Sequence, residues 1–259
     1  MITLTTDFGY QDPFVGIMKG VIAAINPQVQ IIDLSHGVPA QNILAAALIL
    51  QHSIRYFPAG TIHVVVVDPG VGSARRPILL ELDDNYFIGP DNGVLSLALE
   101  RKQPNHVIEL SNLEFQLQPT SATFHGRDVF APVAAHLSLG VPPTEFGKSL
   151  DTFVSLFVPQ LIRSEHNVQG EIIYVDGFGN LFTNIRARDL TGLPRERLRI
   201  SLGQVEIGAL VANYAAVGQG EFSCIFNSWG LLEIALNQGN ALQRTGAKTG
   251  DPVVVAIKE

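Results

Sequence analysis

Between Ile2 and Val67 the sequence alternates between two hydrophobic periods, and that alternation constrains the fold more than any other feature. Ile2 to Thr6 is a short β-rich run that ends at Asp7-Phe8-Gly9. Asp12-Pro13 reads as an N-cap followed by proline at the first helical position. Phe14, Ile17, Met18, Val21, Ile22 and Ile25 then recur at three-to-four spacing until Asn26-Pro27, which predicts an amphipathic helix. Gln30 to Leu34 reads as a strand, Asn42 to Tyr56 as a long and mostly buried helix, and His63 to Val67 as a β-branched strand covered on both faces. Strands separated by helices predict a parallel sheet in an α/β fold. Ile78 to Leu82 and Tyr86 to Ile88 add strands, and Val94 to Glu100 and Val129 to Leu139 add helical stretches.

The texture changes around Val158 to Gln169, where apolar periodicity fades and polar residues gather. Beyond it, Glu171 to Val175, Leu181 to Ile185, Arg197 to Leu202, Val205 to Ile207, Phe222 to Phe226, Leu231 to Ala235 and Pro252 to Ile257 are short strand-like runs separated by glycine or polar turns. That spacing predicts a small β domain. A chain of 259 residues accommodates both: an α/β domain over residues 1–160 and a β domain over 168–259.

Charge and cysteine usage narrow the function classes. The formal net charge is -7, and the 17 Lys and Arg residues are scattered singly, so there is no basic stripe to follow a phosphate backbone and nucleic acid is not an expected partner. Hydrophobic residues make up 46% and charged ones only 16%, which fits an interface with further copies. One cysteine, Cys224, excludes an internal disulfide framework and suits a reducing compartment. The opening Met-Ile-Thr-Leu-Thr-Thr-Asp lacks a basic and apolar leader pattern, and no apolar run reaches about 18 residues, so a cytoplasmic protein off the membrane is expected.

Ligands of open α/β sheets sit at the carboxyl ends of the strands. Two loops put a carboxylate there: Thr5-Thr6-Asp7-Phe8-Gly9, and Val67-Asp68-Pro69-Gly70-Val71-Gly72-Ser73-Ala74-Arg75-Arg76. A third candidate, His125-Gly126-Arg127-Asp128, opens a helix. Each has a plainer reading: Asp7 as a turn residue, Asp68-Pro69-Gly70 as turn chemistry, Asp128 as a helix cap. Gly70 and Gly72 begin a dinucleotide-like loop that Arg75 leaves incomplete, and there is no phosphate-binding P-loop, no nucleophile elbow and no His-Glu-x-x-His. Asp33, His36 and His63 have no recognised metal spacing and read as hydrogen-bonded structural residues. Asp176-Gly177-Phe178-Gly179-Asn180 is a glycine-rich turn whose aromatic, carboxylate and amide suit a nucleoside; Phe178 and Phe182 read equally as core, and for Trp229 core is the stronger reading.

Taken in order, Thr-Asp-Phe-Gly, Val-Asp-Pro-Gly-Val-Gly-Ser, Gly-Pro-Asp-Asn-Gly (Gly89 to Gly93), Phe-His-Gly-Arg-Asp, Asp-Gly-Phe-Gly-Asn, Asn227-Ser228 and Asn237-Gln238-Gly239-Asn240-Ala241 resemble the S-adenosylmethionine hydroxide adenosyltransferase family, relatives of the fluorinating and chlorinating enzymes. The resemblance runs from Asp7 to Ala241. It implies an N-terminal α/β domain with a mostly parallel sheet, a C-terminal β-barrel, and a homotrimer with sites between subunits. It implies Asp68, Arg75 and His125 as the catalytic set. The halogenating relatives carry tyrosine at the position of Asp68, and their aromatic lid falls on Gln41, which disfavours halogenation. It further implies Asp7 on the ribose hydroxyls, Asp176 and Asn180 facing the substrate from a neighbouring subunit, Phe178 and Phe182 against the adenine, Asn237 at its edge and Ser228 at the methionine end. Trp229 stands where the halogenating relatives have arginine, and Glu233 becomes the candidate contact for the methionine ammonium.

The reaction so implied is hydrolysis of S-adenosyl-L-methionine to adenosine and L-methionine. Departure of a neutral thioether needs no general acid, and nothing in the chemistry demands a metal or an organic cofactor. Arg75 stays protonated and can stabilise a forming hydroxide, so Asp68 or His125 takes the proton. The alternatives are a halide adenosyltransferase, a non-catalytic adenosine or S-adenosylmethionine binding protein, and an α/β protein of other activity in which these motifs are only turns.

Overall fold

The computed structural model describes residues 1–258, which divide into two compact units, 1–156 and the residues from 157 onward. In the first unit the elements run β1 (Ile2–Thr6), α1 (Phe14–Ile25), β2 (Ile31–Ser35), α2 (Ile43–Ser53), β3 (Ile62–Val66), β4 (Pro77–Leu82), β5 (Asn85–Pro90), β6 (His106–Leu110), α3 (Ala131–Ser138) and β7 (Gly147–Ser149). They build one sheet in the order β2-β1-β3-β5-β4-β6-β7. The β2-β1-β3-β5 half is parallel, as the strand–helix alternation predicts. β4, β6 and β7 extend it antiparallel, because a short hairpin joins β4 to β5 with no helix between. Every residue of β1 and β3 is buried, and α1, α3 and the turn leading into α3 pack on the core through Met18, Ile22, Val129, Phe130, Val133 and Ala134.

Several sequence expectations shift. Asp12 does not cap α1: Pro13 holds the N-cap position and makes no side-chain cap bond. Asn42 does cap α2, its side chain accepting the Ala45 amide at 2.9 Å. The helix expected over Val94 to Glu100 is a short 3-10 turn, Ser96–Leu99, stopped by left-handed Glu100 and Arg101. The Val129 to Leu139 helix is preceded by a π-helical turn, Gly126–Phe130, which puts the His125 motif one turn earlier than expected. β6 and β7, which extend the antiparallel end of the sheet, escaped the sequence reading.

The second unit holds β8 (Ile162–Arg163), β9 (Asn167–Val175), β10 (Leu181–Arg186), β11 (Leu198–Leu202), β12 (Val205–Gly208), β13 (Phe222–Phe226), β14 (Leu231–Leu236), α4 (Ala241–Thr245) and β15 (Pro252–Ile257). All its strand pairings are antiparallel, in the order β12-β11-β15-β9-β10-β14-β13, with β8 on β9. A bridge from Leu210, just past β12, to Cys224 in β13 brings the two ends together, so the sheet is a nearly closed barrel. Ile172, Leu181, Leu198, Ile200, Cys224, Leu232, Ile234, Val253 and Val255 fill its interior.

Candidate active site

In the first unit, a cleft of about 410 Å³ opens beyond the carboxyl ends of β1 and β3. Its walls include Asp7 and Phe8 after β1, Gln41 before α2, Asp68 and Pro69 after β3, Phe14 at the start of α1, and Phe124 to Gly126. Phe8, Phe14 and Phe124 meet edge to face with centroids 5.3–5.9 Å apart, giving the cleft an aromatic wall to which the sequence analysis assigned no role. Phe8 and Phe124 belong to the Thr-Asp-Phe-Gly and Phe-His-Gly-Arg-Asp motifs and Phe14 to the periodic face of α1, so the residues are visible locally and only their meeting is not.

Asp68 and Arg75, from one loop, and His125, from a separate stretch of sequence, form one chain of contacts. The Arg75 guanidinium grips both carboxylate oxygens of Asp68, with Nε 2.9 Å from Oδ1 and Nη2 on Oδ2, and the same Nη2 lies 2.7 Å from His125 Nδ1. The side chains of Arg75 and Asp68 are only 9% and 5% exposed, and Arg75 lies over the Phe130 ring. Gly72 lets the loops meet. Its φ is +77°, and a Cβ there would fall 2.3 Å from the Ala122 carbonyl oxygen. Burial lowers the His125 pKa from its ordinary 6.5, and the Arg75 charge lowers it further. Arginine can only donate, so the contact requires neutral His125 with Nδ1 accepting and the proton on Nε2.

Asp128 turns away from this set. Its carboxylate takes the Ser121 amide at 2.8 Å and pairs with Arg127, tying down the segment before His125. Asp7 keeps one oxygen on the Gln41 amide at 2.8 Å. The Asp33, His36 and His63 reading as structural groups agrees with their contacts: His36 meets Thr6, Asp33 meets Lys19, and His63 sits in the core on Thr3 and Phe87. Among the described residues no group of three or more His, Cys, Asp and Glu is arranged to hold a metal. Cys224 is buried in the barrel and its thiol is pushed up to about 12 by burial, which makes it inert as a nucleophile.

The second unit gathers the remaining candidates on the outer face of β9, β10 and β14. Asp176 closes its turn by accepting the Phe178 and Asn180 amides at 2.9 Å and the Asn180 side-chain amide at 3.0 Å. Phe178, at the tip, is 78% exposed and so is not core. Phe182 is nearly buried against Tyr174 and Trp229, with centroids 5.2–5.4 Å apart. Trp229 therefore belongs to an outer-face aromatic platform rather than the barrel core, because the tight turn at Asn227 to Gly230 swings it outward. Glu233 pairs with Phe182 across the strands, is 1% exposed, and accepts the Tyr214 hydroxyl at 2.7 Å; burial raises its pKa. Tyr174 and Tyr214 were not foreseen, since alternation along a strand does not reveal which outer faces carry a platform. Ser228 is exposed in the turn beside Trp229. Asn237 stands apart from the platform's contacts, its amide donating to the Val217 carbonyl at 2.8 Å.

An α/β unit with a charged, aromatic-walled cleft at its strand ends and an antiparallel barrel with an aromatic platform define a two-domain protein. Residues 2–147 match the model of the SAM hydroxide adenosyltransferase N-terminal domain, and residues 170–254 match that of the C-terminal domain. The chain belongs to the SAM hydroxide adenosyltransferase family. It is 38% identical to an (R)-S-adenosyl-L-methionine hydrolase of Salinispora tropica, over 96% of this chain and 95% of the relative. A fluorinase of Actinoplanes sp. is more distant, at 29% identity over 98% and 97% of the two chains. The crystal structure of an uncharacterized conserved protein from Thermotoga maritima superposes with a TM-score of 0.91 at 37% identity, covering 99% of this chain and 100% of that one.

Proposed function

We propose that this chain hydrolyses S-adenosyl-L-methionine to adenosine and L-methionine, with the (R) sulfonium epimer preferred, as the names of its hydrolase relatives suggest. The observation that carries the reading is the Asp68–Arg75–His125 contact chain beside the cleft. A water oxygen attacks the ribose C5′ opposite the sulfur, and the C5′–S electron pair leaves with sulfur as the neutral thioether of methionine. The attack needs that oxygen held roughly 3–3.5 Å from C5′ and in line. Arg75 stabilises the developing hydroxide. Because His125 Nδ1 is taken by Arg75 and Nε2 bears the proton, His125 orients the water as a donor. The water proton goes to Asp68, whose oxygens keep lone pairs beyond those on Arg75. A positioned base of this kind contributes typically about 10²–10⁴-fold.

Asp7 holds the ribose hydroxyls. Asp176, Phe178, Asn180, Phe182, Ser228 and Asn237 of a neighbouring copy complete the site in a homotrimer, with Glu233 as the buried counter-charge near the methionine ammonium. The exposure of Phe178, a large apolar side chain at a turn tip, supports a contact beyond its own unit. The lone buried thiol fits the cytoplasm. Chromatography of products from separated S-adenosylmethionine epimers, with and without halide, tests the reading. Equimolar adenosine and methionine, indifferent to halide and lost in Asp68→Asn, is the expected result. Halide-dependent products would make the chain a halogenating enzyme, and tight adenosine binding without turnover would make it a binding protein.

A further inference from the structure

We infer that the segment from His36 to Gln41 is a positioning clamp for the Asp7 loop, and that His36, buried and away from the reacting atoms, sets how well the ribose hydroxyls are held. The inference rests on the hydrolase reading for its substrate, but its geometry stands on unit 1 alone. The clamp closes at both ends of the loop. At one end Thr6 Oγ1 lies 2.8 Å from His36 Nδ1, and the Gly9 amide donates to the His36 carbonyl at 2.9 Å. At the other end the Gln41 amide donates to Asp7 Oδ2 at 2.8 Å, with Gln41 held at a left-handed φ of 62°.

The polarity of the contacts runs one way. Lys19 Nζ donates to Asp33 Oδ2 at 2.6 Å, and His36 Nε2 stands 3.1 Å from Asp33 Oδ1. The two atoms are close without forming a directed hydrogen bond, but a lone pair on Nε2 would face the carboxylate oxygen, so the proton is placed on Nε2 and Nδ1 accepts from the Thr6 hydroxyl. The Thr6 oxygen in turn accepts the Phe8 amide at 3.2 Å. The Lys19–Asp33 ion pair thus stands beside a fully buried imidazole, which meets a fully buried hydroxyl, which holds the amide next to Asp7. Tyr10 closes the outer side, its ring edge-on to His36 at 5.1 Å. The Gln41 bond leaves Asp7 Oδ1 for the ligand, so the clamp decides where that oxygen points. His36 is a positioning residue, since it touches Thr6, Asp33, Tyr10 and the Gly9 amide but does not line the cleft.

The test compares the full-length chain with His36→Phe, Thr6→Val and His36→Asn; asparagine keeps an acceptor near the Nδ1 position. Four quantities are measured: KM and kcat for S-adenosylmethionine, the affinities for adenosine and for 2′,3′-dideoxyadenosine, and amide hydrogen exchange at Phe8 and Gly9. His36→Phe and Thr6→Val should each raise KM about tenfold with kcat within about threefold, the scale of one lost orienting hydrogen bond. The preference for adenosine over the dideoxy nucleoside should shrink by a similar factor, and exchange at the two amides should quicken. His36→Asn should recover part of each. Unchanged exchange and an unchanged adenosine preference in folded Thr6→Val would overturn the clamp. If exchange quickens as expected while the wild type neither cleaves S-adenosylmethionine nor binds adenosine, the clamp stands and the hydrolase reading falls.

Discussion

Nη2 of Arg75 lies 2.7 Å from Nδ1 of His125, and the same guanidinium holds both oxygens of Asp68. Arginine therefore mediates between the two groups that could share the water. His125 must be neutral to accept from it. Since burial and then the Arg75 charge lower the His125 pKa below its ordinary 6.5, the imidazole stays neutral across physiological pH and protonates only in acid. Activity should accordingly fall on an acid limb below pH 6.5. Nuclear magnetic resonance titration of His125 should give a midpoint below 6.5 in the wild type and a higher one in Arg75→Gln; an equal or lower midpoint in the variant would refute this account of the pair.

Gly72 should be among the least replaceable residues outside the cleft lining. Gly72→Ala places a methyl 2.3 Å from the Ala122 carbonyl and forces a non-glycine residue into a φ of +77°. The Asp68–Arg75 loop must then move away from the segment bearing His125. A loss of about 10²-fold in kcat is expected, by analogy with small misplacements of positioned groups, with a stability cost of about 1–3 kcal/mol. Steady-state kinetics beside thermal unfolding separates the two effects, and wild-type kcat would contradict the prediction.

Phe178 is 78% exposed, so Phe178→Ala should leave the melting temperature within about 1 °C of the wild type, as surface substitutions are normally within about 0.5 kcal/mol. In the proposed trimer it should raise KM about tenfold, since aromatic stacking on a base is worth about 1–3 kcal/mol. An unaltered KM would remove Phe178 from the adenine site.

His63 makes stability depend on pH. It is fully buried, and burial lowers its pKa from 6.5 to about 4. The unfolded chain gains a proton near pH 6.5 that the folded chain refuses, so the favourable difference is complete above pH 6.5 and is lost as pH falls toward 4. The loss is on the order of 3 kcal/mol by the usual conversion of a pKa shift. His125 and His136, also lowered, add in the same direction. Urea unfolding at successive pH values should show a declining midpoint over this window, flatter in His63→Gln; an unchanged slope in the variant would assign the effect elsewhere.

The sheet's parallel half was legible because β1, β2 and β3 are separated by helices with clear periods, and the barrel strands because polar turns punctuate them. The π-helical turn at Gly126–Phe130 was not legible, since its residues also suit an ordinary helix start. Nor was the displacement of Trp229 onto the outer face, which depends on the turn at Asn227 to Gly230 rather than on hydrophobicity. The Asp68, Arg75 and His125 candidates came from ordered motifs; Phe8 and Phe124 lie in those motifs too, but nothing local shows that they meet Phe14 to form an aromatic wall.

Local sequence by itself determined most of the strands and the main helices and put carboxylates at the strand ends, because each rests on interactions between residues near one another in the chain. The tertiary structure alone decided that one guanidinium spans Asp68 and His125, which nitrogen of His125 carries the proton, and that Thr6 and His36 meet to hold the Asp7 loop. Those contacts join residues 7 to 50 positions apart, and the direction of a hydrogen bond depends on the one donor or acceptor the fold brings within reach.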